Sequence, residues 1–391
     1  MLRVLMFVLV FFCLSPANAQ QTDSLGIDII DLLFGKRKER SDNRRRSGKK
    51  VHYSILPAPV NAPGGEKAVI TTVNAAFILG DPEQTNVSNI FLIPFTDFNR
   101  QYGLILRPNI WLNRNSWNHL GDYRFIHFPQ YTWGLGGNSP EYARSLIKED
   151  YFRLYHTALK KVGRYAFIGP GYALDYHYNL SEEEASLLGH LEDYPYGNED
   201  PSVSSGITLN FAFDKRKNAL NPQDGAFFYT IYRVNFKALG STDDYQTLFT
   251  EGRKYFSLSK IRSNILAFRA YYWTVVTGNA PFLDLPTTNR APSLGIASRG
   301  IRNGRYRSNA MLYFEGEQRV QLTDNGLLGL VAFLNVSSAS EFNTQNFKHW
   351  RAGAGFGLRT KLNKYSNTNI AIDLGFSSNF WGVWLNVGEM F

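Results

Sequence analysis

The 391-residue chain carries a formal charge of +9 and is 44% hydrophobic but only 19% charged, with 29 Phe, 22 Tyr and 33 Gly. Its one cysteine, Cys13, sits in an apolar N-terminal run, which excludes disulfides, cysteine-ligated metals and cysteine nucleophiles from the rest of the chain. No later stretch supplies the roughly 18 consecutive apolar residues of a membrane helix, so a helical membrane protein is excluded, while abundant aromatics with glycine suit a set of girdled strands.

Residues 1–19 read as a secretory signal: basic Arg3, an apolar run over residues 4–14, then Pro16 and the small-residue site Ala17-Asn18-Ala19. Residues 24–35 predict a short amphipathic helix, with Leu25, Ile29, Leu32 and Leu33 on one side and Asp28 and Asp31 on the other. Its expected role is a plug or interfacial anchor on the periplasmic side. The following segment, residues 36–50, holds nine basic and two acidic residues, so the remainder of the chain is nearly neutral. In an exported protein such a run suits anionic lipid headgroups, and no nucleic-acid partner is expected. The chain thus divides into 1–19 (signal), 20–51 (helix and basic periplasmic segment) and 52–391.

From about His52 the pattern becomes alternation with period two, broken by Gly, Pro, Asn and Asp clusters. Ile207, Leu209, Phe211 and Phe213 alternate with Thr208, Asn210, Ala212 and Asp214. Leu328, Leu330, Ala332, Leu334 and Val336 alternate with Gly329, Val331, Phe333 and Asn335. Arg351, Gly353, Gly355, Gly357 and Arg359 form a small, charged face opposite Ala352, Ala354, Phe356 and Leu358. In a barrel that face lines the lumen, and glycines there leave room for something packed inside. Ile370, Ile372, Leu374 and Phe376 oppose Ala371, Asp373 and Gly375, and Trp381, Val383, Leu385 and Val387 lead to Phe391, expected to end in the membrane as the C-terminal insertion signal. At roughly 20 residues per strand and connection, about 16 strands are expected, the even number antiparallel closure needs. The fold expected is therefore all-β: a transmembrane antiparallel β-barrel, with short periplasmic turns such as 215–225 and long outer connections such as acidic 179–205.

Landmarks in the C-terminal half occur in an order that resembles the BamA/TamA superfamily of outer-membrane insertases and transporters, the bacterial surface antigen type of barrel. Asp214, Arg216 and Asn218 with Pro222 and Gly225 resemble that family's periplasmic turn. Arg299, Gly300, Arg302, Gly304 and Arg305 resemble the motif of the extracellular loop that folds back into the lumen, and Trp133-Gly134-Leu135-Gly136 is a looser match in the N-terminal half. Four arginines at 299, 302, 305 and 307 enter a lumen only if carboxylates and carbonyls receive them. Glu315 and Glu317 share one strand face, so Arg299 is expected to pair with Glu317 and contact Asn335, locking the loop. Two positions depart from the family: Ile301 stands where an aromatic is common, and Asn335 where an Asp is. Residues 20–51 are too few for a periplasmic polypeptide-transport-associated domain, so a short, barrel-only member is expected.

The seven histidines show no metal-ligand spacing, and no nucleophile elbow or phosphate loop appears, so neither an enzyme nor a cofactor is expected. The resemblance implies assistance to membrane-protein assembly or translocation at a lateral seam, between a first strand near residues 68–79 and a last near 381–391. The partners are then membrane lipid and client or partner outer-membrane proteins, in the outer membrane of a Gram-negative bacterium. A passive pore or structural partner barrel is the alternative, and a soluble secreted all-β binding protein the third reading.

Overall fold

The computed structural model describes residues 26–34, 51–61, 67–98, 101–127, 129–183, 194–259, 263–292, 296–364 and 367–391. The signal sequence expected at residues 1–19 and the basic run at 36–50 lie outside them. One antiparallel meander accounts for nearly everything described. Its strands are β1 (Val51–Asn61), β2 (Lys67–Phe77), β3 (Ser88–Thr96), β4 (Tyr102–Trp111), β5 (Trp117–His127), β6 (Gln130–Thr132), β7 (Ser145–Lys161), β8 (Ala166–Glu183) and β9 (Ser202–Asp214). The C-terminal half adds β10 (Gly225–Asn235), β11 (Tyr245–Ser257), β12 (Asn264–Gly278), β13 (Ala310–Gln321), β14 (Leu328–Ala339), β15 (Arg351–Asn363), β16 (Thr368–Phe376) and β17 (Trp381–Val387). Both β5 and β6 pair with β7 in one continuing register, His127↔Asp150 and then Gln130↔Ile147. They form one interrupted strand, so the sheet has 16 places around the barrel.

The alternation read in the sequence sets which side faces out. Ile207 and Leu209 are 54% and 57% exposed, whereas Thr208 and Asn210 between them are buried. The same inversion holds in β15, where Phe356 and Leu358 are exposed and Gly357 and Arg359 are not. An apolar exterior around a polar interior is what a hydrocarbon solvent selects and water does not. Among the described residues no helix is long and apolar enough to cross a membrane; the strands do the crossing.

Two expectations about the ends of the sheet are corrected. The first strand is β1, not the segment near residues 68–79, which is β2. Pro57 and Pro59 lie within β1 and would ordinarily argue against a strand. They are two residues apart, so their missing N–H groups fall on one edge, and proline is tolerated at the edge of a sheet. At the other end, β17 stops at Val387 and Gly388, at φ +104°, turns the chain inward. Phe391 is 3% exposed inside the barrel, not in lipid: its ring lies 5.3 Å from the Arg319 guanidinium, and Arg319 Nη2 donates to its backbone oxygen at 3.0 Å. The apolar alternation of β17 extends toward Phe391 without revealing the turn.

Among the described residues one α-helix occurs, α1 (Ile29–Phe34), and it begins later than the start at residue 24 that the sequence predicts, residues 26–28 being non-helical. It docks beneath the short turns after β13 and β15. Ile27 N donates to Asn325 O at 2.9 Å, Lys364 N to Asp28 Oδ2 at 3.2 Å and Lys364 Nζ to Asp31 Oδ2 at 2.9 Å. The two aspartates share one side as expected. The outer connection after β8 is shorter than residues 179–205, because β8 runs to Glu183 and β9 begins at Ser202.

Candidate functional site: the loop inside the barrel

In the connection from β12 to β13, the described residues 279–292 and 296–309 do not extend outward but fold into the lumen. Arg299 is fully buried there, and three strands answer it. Its Nε and Nη2 donate to Glu315 Oε1 at 3.1 and 2.5 Å, Nη2 also to Glu317 Oε2 at 2.5 Å, and Nη1 to Asp373 Oδ2. The guanidinium also lies over the Phe333 ring, 3.7 Å from its centroid. The expected partners Glu317 and Asn335 are both present, but Asn335 binds differently: its Nδ2 donates to the Arg299 carbonyl at 2.9 Å. An amide can do this and a carboxylate cannot, so the Asn at this position holds the loop's backbone while Asp373 supplies a third carboxylate.

The glycines make this approach possible. Gly300 has φ +92°, and a Cβ there would sit 2.6 Å from the Phe376 carbonyl oxygen. On the strands, a Cβ at Gly353 would lie 2.6 Å from the Arg299 oxygen, and one at Gly375 2.7 Å from Gly300 N. Loop and wall therefore touch backbone to backbone. Ile301, where the resembled family has an aromatic, is buried among Phe249, Tyr271, Trp273 and Tyr313.

Around Arg299 the charges form a matched set. Arg253 and Arg269 pair with Glu251 at 2.5 and 2.7 Å. Arg319 links Glu317 to Glu389, and Arg359 links Asp373 to Glu389, the latter at 2.6 Å. Among the described residues, five guanidiniums thus meet five carboxylates on β11, β12, β13, β15, β16, the loop and the C-terminal segment, which compensates the burial of each.

Further contacts pin the rest of the loop. Asp284 accepts from Ser204 Oγ at 2.5 Å and lies 3.1 Å from His177 Nε2, whose Nδ1 is 2.6 Å from Glu149. Arg302 Nη1 donates to Glu141 at 2.5 Å, and Arg305 stacks over Trp133 while giving Nη2 to the Ser139 oxygen at 2.8 Å. Gly304, at φ +70°, lets the loop pass close to the Tyr131 carbonyl. Gly136 N donates to Arg307 O at 2.7 Å, so the Trp133–Gly136 segment, recognised only by likeness, is a docking strip for the loop. Sequence reasoning missed His177, Glu149 and Asp284; no spacing relates a residue on β7, one on β8 and one in the loop.

The turn after β9 is the other predicted motif. Asp214 receives Arg216 through its backbone N, Nε and Nη2 at 3.0, 2.9 and 2.8 Å, and Asn218 Oδ1 caps Leu220 N at 2.8 Å. Pro222 is buried, and Gly225 has φ +106° where a Cβ would meet the Lys215 carbonyl. Leu220 O then accepts from Glu389 N at 2.8 Å, so this turn captures the C-terminal segment.

The loop fills the lumen against β11 to β16 and also reaches Tyr131 of β6, His177 of β8 and Ser204 of β9. The rest is a cavity of 2680 Å³ against β2 to β5 and β7 to β10, reaching Val383 and Leu385 of β17. Among the described residues no group of three or more His, Cys, Asp or Glu could hold a metal ion.

A greasy-sided antiparallel cylinder, partly filled by its own arginine-bearing loop, is a transmembrane β-barrel of the outer-membrane kind. Residues 127–368 match the Omp85 superfamily domain, and the chain belongs to the Omp85 superfamily. Its fold is similar to that of BamA from Haemophilus ducreyi lacking POTRA domains 1–3, at 12% identity and a TM-score of 0.53 over 86% of this chain and 69% of that one. It is also similar to CdiB from Acinetobacter baumannii, at 12% identity and a TM-score of 0.52 over 87% of this chain and 60% of that one. No curated protein matches it by sequence.

Proposed function

We propose that this outer-membrane barrel assists assembly or translocation of other membrane proteins through the seam between β1 and β17, with no catalytic residue or cofactor taking part. The observation that carries the reading is the state of that seam. Every other pair of neighbouring strands is joined by a ladder of paired residues, in places across a bulge, as between β7 and β8 or β11 and β12. The strands β1 and β17 lie side by side, yet among the described residues no register joins them. An unpaired strand edge is a template for another strand. Pro57 and Pro59 oppose closure from the β1 side. On the other, β17 has seven residues, short of the roughly 9–11 of a tilted membrane strand, so the apolar band narrows there.

The test is a seam lock. No cysteine follows Cys13, so pairs introduced along β1 and β17 report without background. Oxidation should stop client assembly in cells and reduction should restore it. Full assembly by the locked protein would refute the proposal. The passive-pore reading rests on the 2680 Å³ cavity and predicts an ion conductance that the lock leaves unchanged.

A further inference from the structure

We infer that the open side of the lumen contains a binding site for a phosphate-type oxyanion, formed by Arg107 of β4, Arg124 of β5 and Arg153 of β7. The inference stands independently of any assembly role. All three guanidiniums gather on one carboxylate, Asp122: Arg124 Nε and Nη2 at 2.8 and 2.5 Å, Arg107 Nε at 3.5 Å and Arg153 Nη1 at 3.5 Å. Arg153 reaches a second acid, Asp175, at 3.0 Å. That acid is already engaged, because Tyr151 and Tyr155 each donate a hydroxyl to it at 2.5 Å and Arg233 adds Nη1 at 2.6 Å. Four guanidiniums therefore share two carboxylates, in contrast to the five-to-five match around Arg299.

The register sharpens the imbalance. Arg124 and Arg153 stand directly opposite each other on β5 and β7. Like charges so placed repel, and the lumen wall offers less screening than bulk water. Among the described residues neither terminal nitrogen of Arg107, nor Nη1 of Arg124, nor Nη2 of Arg153 has an acceptor. The three side chains are 30%, 21% and 12% exposed, and what they face is the 2680 Å³ cavity.

A doubly charged tetrahedral oxyanion supplies what is missing. It offers several oxygens to planar forks converging from three strands, where chloride offers no directional match and a carboxylate only two oxygens. The cavity is much larger than phosphate itself, so the group arrives either free or as the headgroup of a lipid, whose route would be past Trp381 and Val383 on β17, which line the same space.

The experiment is calorimetric titration of the mature protein in neutral, phosphate-free detergent with pyrophosphate, against sodium chloride of matched ionic strength. Saturable binding is expected, weakened on the order of tenfold or more by Arg107→Gln or Arg124→Gln and abolished by the double variant, since each removes a charge-assisted contact. Lys217→Gln, elsewhere on the cavity wall, should bind as the wild type does. Heat-dependent gel mobility shows whether each variant still forms a barrel; if the double variant does not, Arg107→Gln decides, because Arg107 has only its 3.5 Å contact to lose. Wild-type binding by the barrel-forming Arg variants, or heat reproduced by chloride, overturns the proposal. Competition identifies the source: displacement of pyrophosphate by short-chain phosphatidic acid at lower concentration than by inorganic phosphate points to a headgroup, and equal displacement to the free ion. Failure of both to displace it counts against the site.

Discussion

Replacing Arg299 by Met removes the centre of the loop's attachment while keeping most of the side chain's length. Glu317 would retain Arg319 and Asp373 would retain Arg359, but Glu315 would be left with the Tyr313 hydroxyl, at 2.8 Å, as its remaining close donor. Breaking a buried ion pair from one side costs about 3–5 kcal/mol, because the abandoned charge stays desolvated. At ~1.4 kcal/mol per decade, this moves the docking equilibrium of the loop by about two to three and a half orders of magnitude. Hydrogen exchange across residues 296–309 measures it directly, and ion conductance gives a second reading as the loop leaves the lumen. Adding Glu315→Gln to Arg299→Met should recover part of the loss by removing the orphaned charge. Arg299→Lys should fall between wild type and Met, because one ammonium cannot reach three carboxylates from two sides as the guanidinium does. Unchanged exchange in Arg299→Met would show that the backbone contacts, Asn335 Nδ2 to Arg299 O and Ser298 N to the Tyr313 hydroxyl oxygen, hold the loop unaided, and would refute the argument.

Two further outcomes follow from the same geometry. Gly300→Ala places a Cβ 2.6 Å from the Phe376 oxygen at a residue with φ +92°, so the loop should lose about 1–3 kcal/mol of docking, read as faster exchange at residues 298–302 with gel mobility intact. Phe391→Ala empties a site walled by Tyr255, Arg269 and Arg319, and should lower the barrel's thermal midpoint by an amount equivalent to about 3–5 kcal/mol. A spin label at position 391 should report a site shielded from lipid-soluble relaxants; strong lipid-phase relaxation would place this residue back in the membrane.

The sheet was legible where its two faces differ chemically. Ile207 to Asp214 announces a strand and its orientation, because outward residues meet lipid and inward ones meet the lumen. Arg359, Asp373 and the glycines of β15 were readable as an inner face for the same reason. The Arg299–Glu317 pair followed from charge economy: a buried guanidinium needs a carboxylate, and Glu317 lies on an inward face. Asp373 was on the correct face but not identifiable as a partner, since contact across three strands depends on barrel curvature. Phe391 misled, because an apolar residue after alternating apolar residues looks outward until Gly388 turns the chain. Pro57 and Pro59 hid β1, since proline in a strand is informative only once the edge is known.

The two sides of the lumen obey one electrostatic rule with opposite results. Around Arg299, the four guanidiniums at 253, 269, 319 and 359 face five carboxylates, so without the loop this side is one cation short, and Arg299 supplies it. Around Asp122, the wall is deficient in anion, and no part of the described chain completes it. A wall whose charge is left open on one side and answered by its own loop on the other has a built-in distinction between a permanent plug and a replaceable guest. The loop cannot exchange for solvent without leaving the buried Glu315 with no guanidinium, whereas an oxyanion at Arg107 and Arg124 can leave, because both side chains already meet the cavity. If that distinction holds, phosphate should raise the thermal midpoint of Arg299→Met by as much as it raises that of the wild type, because the two clusters share no side chain; a response lost in Arg299→Met would mean that they form a single network.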